Sequence, residues 1–412
     1  MTQFNTANTA NTANTVPHDK SVGSIRDDFY LTREWRLLNN GSYGACPKPV
    51  FEELQRWQLE LEKHPGTFIG RWPEWFGQAR AALGEYLHCD PKDLAMVTNA
   101  TMGVNVVTHS LRSWLKPGDE VLTTNHEYGA CNHAWLFNCG KAGAKYINHP
   151  IELPIVSDED FVEKLWSGVT PRTRVIYLSH TTSPTALTFP LQELFRRARE
   201  AGILTVVDGA HVPGQRDLFL DDLGADFYTG NCHKWMCAPK GTAFLHVRKD
   251  VQHMIEPLIV GHGWQPEKTS AQPLYDYIEM FGTRDISSFM AVPAAIEYMR
   301  SHDWAQVRAR CHAMSLDTKR SIENFFGTQS ICPETFEWFS QITPIRLPDD
   351  TDMAKLGQIM REHYKIEMPL ITWNEFKIAR LSVQIYTTQD ELDAFVEGIT
   401  THLAGCRTTV SA

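Results

Sequence analysis

The chain has 412 residues, 42% of them hydrophobic and 21% charged, with a net charge of −10. That length suits two or three domains with substantial cores, and that charge argues against a nucleic-acid backbone as a partner. No apolar run approaches the roughly 18 residues of a membrane helix, the N-terminus is polar with no apolar signal segment, and an odd nine cysteines suit a reducing compartment better than a disulfide framework.

These features read as a cytoplasmic protein with neither nucleic-acid nor membrane partners. Residues 5–15 repeat Asn-Thr-Ala, which offers no apolar face to bury, so 1–28 are expected to form a disordered tail. The segment 29–47 is expected to pack at a domain junction. From 48 to 285 strands alternate with helices, which predicts a large domain. Gln78–Leu87 reads as a helix. Thr98-Asn99-Ala100-Thr101-Met102-Gly103 is a polar loop opening a helix through Val104 and Val107. Backbone N–H groups at such a start, those of Ala100 and Thr101 included, bind phosphate, and Thr101 adds a hydroxyl. Any threonine-capped helix would look alike in isolation.

Glu120–Thr124 reads as a strand, preceded by the turn Lys116-Pro117-Gly118-Asp119 and followed by His126-Glu127-Tyr128-Gly129. An aromatic there can stack on a flat ring, although a core tyrosine would leave the same trace. Val175–Ser179 is a short buried strand. Leu191, Leu194, Phe195 and Ala198 make a helical stripe, Gly202 ends it, and Ile203–Val207 form the next strand. Strand, crossover helix and strand at this spacing predict a parallel sheet with ligands at the strands' carboxyl ends. After Asp285 the pattern turns to longer amphipathic helices, with strands near Ile342–Arg346 and Ile378–Tyr386. A smaller α+β domain is expected at 286–406, with a tail at 407–412.

The chemistry concentrates in two stretches. Val206-Val207-Asp208-Gly209-Ala210-His211 ends one apolar strand, and Asn231-Cys232-His233-Lys234-Trp235 follows the next. A lysine whose amine bonds to an aldehyde, with a carboxylate keeping a pyridine nitrogen protonated, is what pyridoxal phosphate chemistry needs. Lys234 and Asp208 take those parts. Alone, Lys234 would pass for a surface lysine and Asp208 for a helix cap. Gly209 and Ala210 favour the cofactor reading, because small residues let a flat ring lie close to the backbone. His211 stands within reach of the phenolic oxygen, while Asn231 and His233 add phosphate contacts. In Ile378–Tyr386 alternation puts Ala379, Leu381, Val383 and Ile385 on one face, and Arg380, Ser382 and Gln384 on the other. Arg380 is thereby poised to fork onto a substrate carboxylate.

Other constellations fail. Ala130 stands where the zinc-helix pattern beginning at His126 needs a second histidine, and Cys131, His133 and Cys139 lack a second pair at zinc spacing. No metal is expected. There is no dinucleotide glycine fingerprint, Gly261-His262-Gly263-Trp264 being too sparse, and no nucleophile elbow.

Together these residues resemble the class V aminotransferase family of fold-type I pyridoxal phosphate enzymes, and within it the isopenicillin N epimerase-like branch. The resemblance rests on Asn40-Gly41-Ser42-Tyr43-Gly44, His126-Glu127-Tyr128-Gly129-Ala130, Ser179-His180, Ser183-Pro184-Thr185, Asp208-Gly209-Ala210-His211, Gly230-Asn231-Cys232-His233-Lys234-Trp235, Gly282-Thr283-Arg284-Asp285, and Arg380 with Tyr386-Thr387-Thr388. It implies a large domain with a mostly parallel seven-stranded sheet and a smaller C-terminal domain. It implies that Lys234 carries the cofactor, Asp208 pairs with the pyridine nitrogen, and Tyr128 stacks on the ring. Ala100, Thr101, Asn231 and His233 would hold the phosphate, His211 and Ser183 would approach the phenolic oxygen, and Arg380 would bind the α-carboxylate. Thr283 would reach the phosphate of a neighbouring subunit, which implies a homodimer. Arg71 falls at a matching position, and Tyr43 and Trp264 would help to choose an amino-acid substrate.

The resemblance leaves the reaction open between an epimerase or racemase, a β-eliminating C–S lyase acting on a cysteine conjugate, and an aminotransferase. Epimerisation asks for a second proton carrier, Tyr128 or a nearby histidine. A non-catalytic binding protein is disfavoured by the intact lysine, aspartate and arginine. A cysteine desulfurase is disfavoured because Ile366-Glu367-Met368-Pro369-Leu370 runs to Arg380 without a cysteine.

Overall fold

Seven short strands pair into one sheet in the computed structural model, which describes residues 25–268 and 270–407. The Asn-Thr-Ala repeat lies outside the described residues. The strands are β1 (Leu94–Val97), β2 (Glu120–Thr124), β3 (Lys145–His149), β4 (Thr173–Ser179), β5 (Leu204–Asp208), β6 (Phe227–Asn231) and β7 (Ala243–Val247). Their order is β1-β7-β6-β5-β4-β2-β3. Every pairing from β6 across to β3 is parallel, and only β7 runs against its two neighbours. The mostly parallel seven-stranded sheet expected from the resemblance is therefore present.

The sheet is buried on both faces, which is why its strands read as apolar runs. Successive residues separate into two cores. Val121, Val175, Tyr177 and Val206 face one core with Val104, Val107, Leu111 and Trp135. Those partners come from α1 (Ala100–Arg112) and α2 (Gly129–Ala142). Leu122, Ile176, Leu178 and Val207 face the other, with Leu194, Phe195 and Ala198 of α3 (Gln192–Glu200). The helix expected from Gln78 begins earlier, at Trp72, because Pro73 opens its first turn.

The smaller C-terminal part holds a three-stranded antiparallel sheet. Its strands are β8 (Ile342–Leu347), β9 (Leu370–Trp373) and β10 (Phe376–Ser382), in the order β9-β10-β8. The strand expected to run to Tyr386 stops at Ser382. There Thr387 N–H bonds Gln384 C=O at 2.8 Å, and this turn carries the chain out of the sheet. Both faces of this segment are buried, the polar one included. The hairpin is pinned to the large sheet by Trp373, whose indole N–H donates to Asn125 C=O at 3.1 Å and whose ring stacks on His126 at 4.3 Å.

The N-terminal segment seats itself on the lysine loop. Gly44 N–H donates to His233 C=O at 2.9 Å, and a Cβ on Gly44 would lie 1.9 Å from the Lys234 carbonyl oxygen, so no larger residue fits there.

Candidate active site

The carboxyl ends of β2, β4, β5 and β6 open onto one cavity of about 430 Å³. Tyr128, Ser183, Asp208, His211, Asn231, His233 and Lys234 line it, joined by Ala100 and Thr101 from the start of α1, Tyr43 from the N-terminal segment and Arg380 from β10. Residues scattered over the whole sequence thus meet at the place the parallel topology predicts. In the sheet, β5 and β4 stand between β2 and β6, so Tyr128 and Lys234 approach from opposite flanks.

Lys234 is half-buried, and desolvation lowers its amine to about 8 despite the opposing pull of the Asp208 carboxylate. Its Nζ lies 3.4 Å from His211 Nε2. The indole N–H of Trp235 donates to His211 Nδ1 at 3.4 Å. That leaves the imidazole proton on Nε2, the nitrogen that faces the Lys234 amine. Burial, with Lys234 and Arg380 nearby, holds His211 well below its usual range and keeps it neutral.

Asp208 ends β5 with both oxygens occupied. Oδ1 accepts the Ala210 N–H at 2.9 Å and Oδ2 the Cys131 thiol at 3.4 Å. Burial raises this carboxyl, while the Ala210 N–H and Lys234 oppose the rise. The glycine after it serves a different end from the one its size suggests. A Cβ on Gly209 would lie 2.2 Å from the Tyr228 ring, so Gly209 makes room for the protein's own aromatic side chain.

The phosphate end is also more committed than expected. The Asn99 side chain caps α1 by accepting Met102 N–H at 2.8 Å, and Asn231 Oδ1 accepts Ala100 N–H at 2.8 Å. The Ala100 donor is therefore already spent, leaving the Thr101 N–H and hydroxyl and the Asn231 amide for an anion. His233 Nδ1 donates to Thr242 C=O at 2.8 Å, and burial lowers the ring to about 4. It donates to a phosphate through Nε2 only when the anion draws a second proton onto it.

Arg380 is 6% exposed. Nη1 donates to Ser183 C=O at 2.5 Å and Ser183 Oγ at 3.0 Å, and Nη2 to Asn39 Oδ1 at 3.5 Å. Its Nε is buried without a partner, and no Asp or Glu among the described residues pairs with it. Burial lowers even this guanidinium to about 10, with the Tyr128 hydroxyl close enough to oppose the shift. Ser183, expected at the phenolic oxygen, is here the residue that aims Arg380.

Three residues singled out from the sequence lie elsewhere. Arg71 is exposed, pairs with Glu74 at 2.7 Å and covers Trp75 at 5.0 Å, so its charge is spent on its own helix. Trp264 lines a separate cavity with His253, Val260 and Tyr277. Thr283 is exposed and does not line the lysine cavity. Sequence reasoning missed Asn39 and Thr181, gave Ser179 only as part of a motif, and weighed Cys131 only as a metal candidate; their parts depend on contacts across the fold. Glu127 was legible only as part of a motif. It is a buried carboxyl that accepts Ser179 N–H at 2.6 Å and Thr124 O–H at 2.7 Å, and burial raises it to about 7.

The donor set fits pyridoxal phosphate group by group. A desolvated amine of lowered basicity meets the aldehyde, a buried carboxylate meets the pyridine nitrogen, and a capped helix start meets the phosphate. The class defined by this fold and site is the fold-type I pyridoxal phosphate enzymes.

The family model of the class-V aminotransferases matches residues 52–395. The chain belongs to that family, and its cofactor is pyridoxal phosphate. It is 31% identical over 374 residues to the isopenicillin N epimerase of Amycolatopsis lactamdurans, covering 88% of this chain and 94% of that one. It is 32% identical over 375 residues to the isopenicillin N epimerase of Streptomyces clavuligerus, covering 88% and 93%. A probable chloroplastic L-cysteine desulfhydrase of Arabidopsis thaliana is 26% identical over 385 residues, covering 86% and 78%. Among solved structures, the apo cysteine desulfurase of Thermococcus onnurineus NA1 aligns with a TM-score of 0.79 at 19% identity, covering 92% and 98%. A C-DES variant with glycine covalently linked to its PLP cofactor aligns at 0.78 with 20% identity, covering 91% and 98%. These two likenesses speak to the fold.

Proposed function

We propose that this enzyme is an epimerase or racemase acting at the α-carbon of an amino acid or amino-acyl peptide, similar to the isopenicillin N epimerases. The observation that carries the reading is the placement of Lys234 and Tyr128 on opposite flanks of one cavity, with Arg380 beside Tyr128. Lys234 would hold the cofactor, which would supply an electron sink that acidifies the α-proton. Arg380 receives the α-carboxylate on its unspent edge, and Asp208 holds the pyridine nitrogen protonated. Lys234, whose amine gives up its proton more readily for being desolvated, takes the α-proton on one face. Tyr128 returns a proton from the other, which inverts the centre. The greater identity to the two epimerases than to the desulfhydrase supports the same reading.

The second reading is a β-eliminating C–S lyase, favoured by the desulfhydrase relatives. It uses Lys234, Asp208 and Arg380 in the same way and needs no proton carrier on the second flank. Sulfur transfer of the desulfurase kind is disfavoured, since no cysteine is among the residues that line the cavity.

We also propose a homodimer, on the exposure of Tyr128 (45%) and Tyr43 (59%) at the cavity mouth and of Thr283 away from its own cavity. Sedimentation of a monomer that retains full cofactor affinity would overturn it.

The deciding experiment is proton NMR in D2O with cofactor-loaded protein and a panel of L-amino acids, cysteine conjugates and α-aminoadipyl peptides. Loss of the α-proton signal with growth of the other stereoisomer supports the epimerase. Release of pyruvate from a conjugate supports the lyase. A panel left unchanged sinks both.

A further inference from the structure

The carboxylate that meets the cofactor nitrogen has a neighbour outside the machinery described above. Cys131 lies two turns of chain beyond β2, on the first turn of α2, and is fully buried. Its Sγ stands 3.4 Å from Asp208 Oδ2. The other Asp208 oxygen is held by the Ala210 N–H at 2.9 Å, so the thiol is the side chain that fixes the free edge of the carboxylate. No cation of the described residues forms an ion pair with Asp208; Lys234 acts on it only through its field.

We propose that Cys131 is a positioning residue that sets the orientation and basicity of Asp208, and through it the protonation of the cofactor's pyridine nitrogen. The direction of the bond is settled by chemistry. Burial raises the thiol far above its usual range, and the adjacent Asp208 charge raises it further, so sulfur keeps its proton and donates it. A donor on Oδ2 steadies the anionic carboxylate. Without it Asp208 competes harder for the proton it shares with the pyridine nitrogen, and the electron sink weakens. Tyr177 and Glu127 also surround the thiol, and Glu127 is itself a raised carboxyl. An added hydrogen-bond donor between two buried acids lowers the chance that Asp208 turns neutral. The inference does not depend on which reaction the enzyme performs.

The test uses holoenzyme reconstituted with cofactor carrying nitrogen-15 in the ring. The chemical shift of that nitrogen reports its proton directly, without substrate. Cys131→Ala is expected to move the shift toward the unprotonated pyridine value. It is expected to slow α-proton exchange about fivefold, the worth of one weak hydrogen bond to a charged acceptor, with KM within about twofold of wild type. Cys131→Ser keeps a hydroxyl donor at nearly the same volume and should restore both. Cys139→Ala removes a second buried thiol of the same helix that has no bond to Asp208, and should leave the shift at its wild-type value. Coincidence of the Cys131→Ala and wild-type shifts overturns the proposal. So does a serine variant displaced as far as the alanine one. Should Cys131→Ala fail to fold, Cys131→Val decides in its place: it fills the space without a donor, and a ring shift at the wild-type value in that variant overturns the proposal.

Discussion

Replacing Arg380 with leucine probes how the site spends a buried charge. The guanidinium gives Nη1 to Ser183 and keeps a buried Nε without a partner. The free protein therefore carries a desolvated cation with one donor edge unspent, an arrangement that costs stability until an anion arrives. An incoming carboxylate collects two charge-assisted hydrogen bonds, each about 1.5–3 kcal/mol. Losing both is ~3–6 kcal/mol, which raises KM on the order of 10² to 10⁴-fold. Folding stability should hold about level, because relief from the buried charge offsets the donor lost by the Ser183 carbonyl. The assay pairs α-proton exchange in D2O, across substrate concentration, with thermal melting followed by circular dichroism. The expected result is a large rise in KM at nearly unchanged Tm and cofactor content. A KM within threefold of wild type refutes the assignment of Arg380 to the carboxylate. A collapse of Tm without a rise in KM makes its part structural.

Three further outcomes follow from the same geometry. Burial lowers Lys234 from the usual 10.5 to about 8, so the unfolded chain takes up its proton before the folded one does. The cofactor-free protein should thus lose stability as pH falls from about 10.5 to about 8; urea midpoints of Lys234→Met should lack that slope, and an equal slope would count against the shift. Gly209→Ala puts a Cβ 2.2 Å from the Tyr228 ring. Overpacking of ~1–3 kcal/mol should lower Tm and loosen cofactor binding in equilibrium dialysis, whereas no change in either would show that the loop yields. Tyr128→Phe keeps an aromatic ring and loses the hydroxyl. Inversion should fall about 10²-fold or more while exchange at the starting stereoisomer continues, and parallel loss of both would argue against two proton carriers.

Local pattern was enough for much of this molecule. Alternation of short apolar strands with amphipathic helices implies a parallel sheet, and a parallel sheet implies a site at its carboxyl ends. The pairing of Asp208 with Lys234 points to the cofactor, because a pyridine nitrogen calls for a carboxylate and an aldehyde for an amine. These inferences survive because they rest on periodicity and on chemistry carried by single short stretches.

What the sequence left unresolved depends on long-range contacts. Gly209 reads as room for a ligand and proves to be room for Tyr228. Ala100 reads as a phosphate donor, yet Asn231, distant in sequence, already holds it. Ser183 turns to Arg380, and Arg71 spends its charge on Glu74. Cys131 reads only as a zinc candidate lacking a second pair, and it touches Asp208 only after β2 and β5 are brought near each other with β4 between them. Sequence determined which chemical groups the site contains, because composition and spacing are written locally. Only the tertiary structure decided which donor meets which acceptor, because each hydrogen bond is satisfied once and folding chooses the partner.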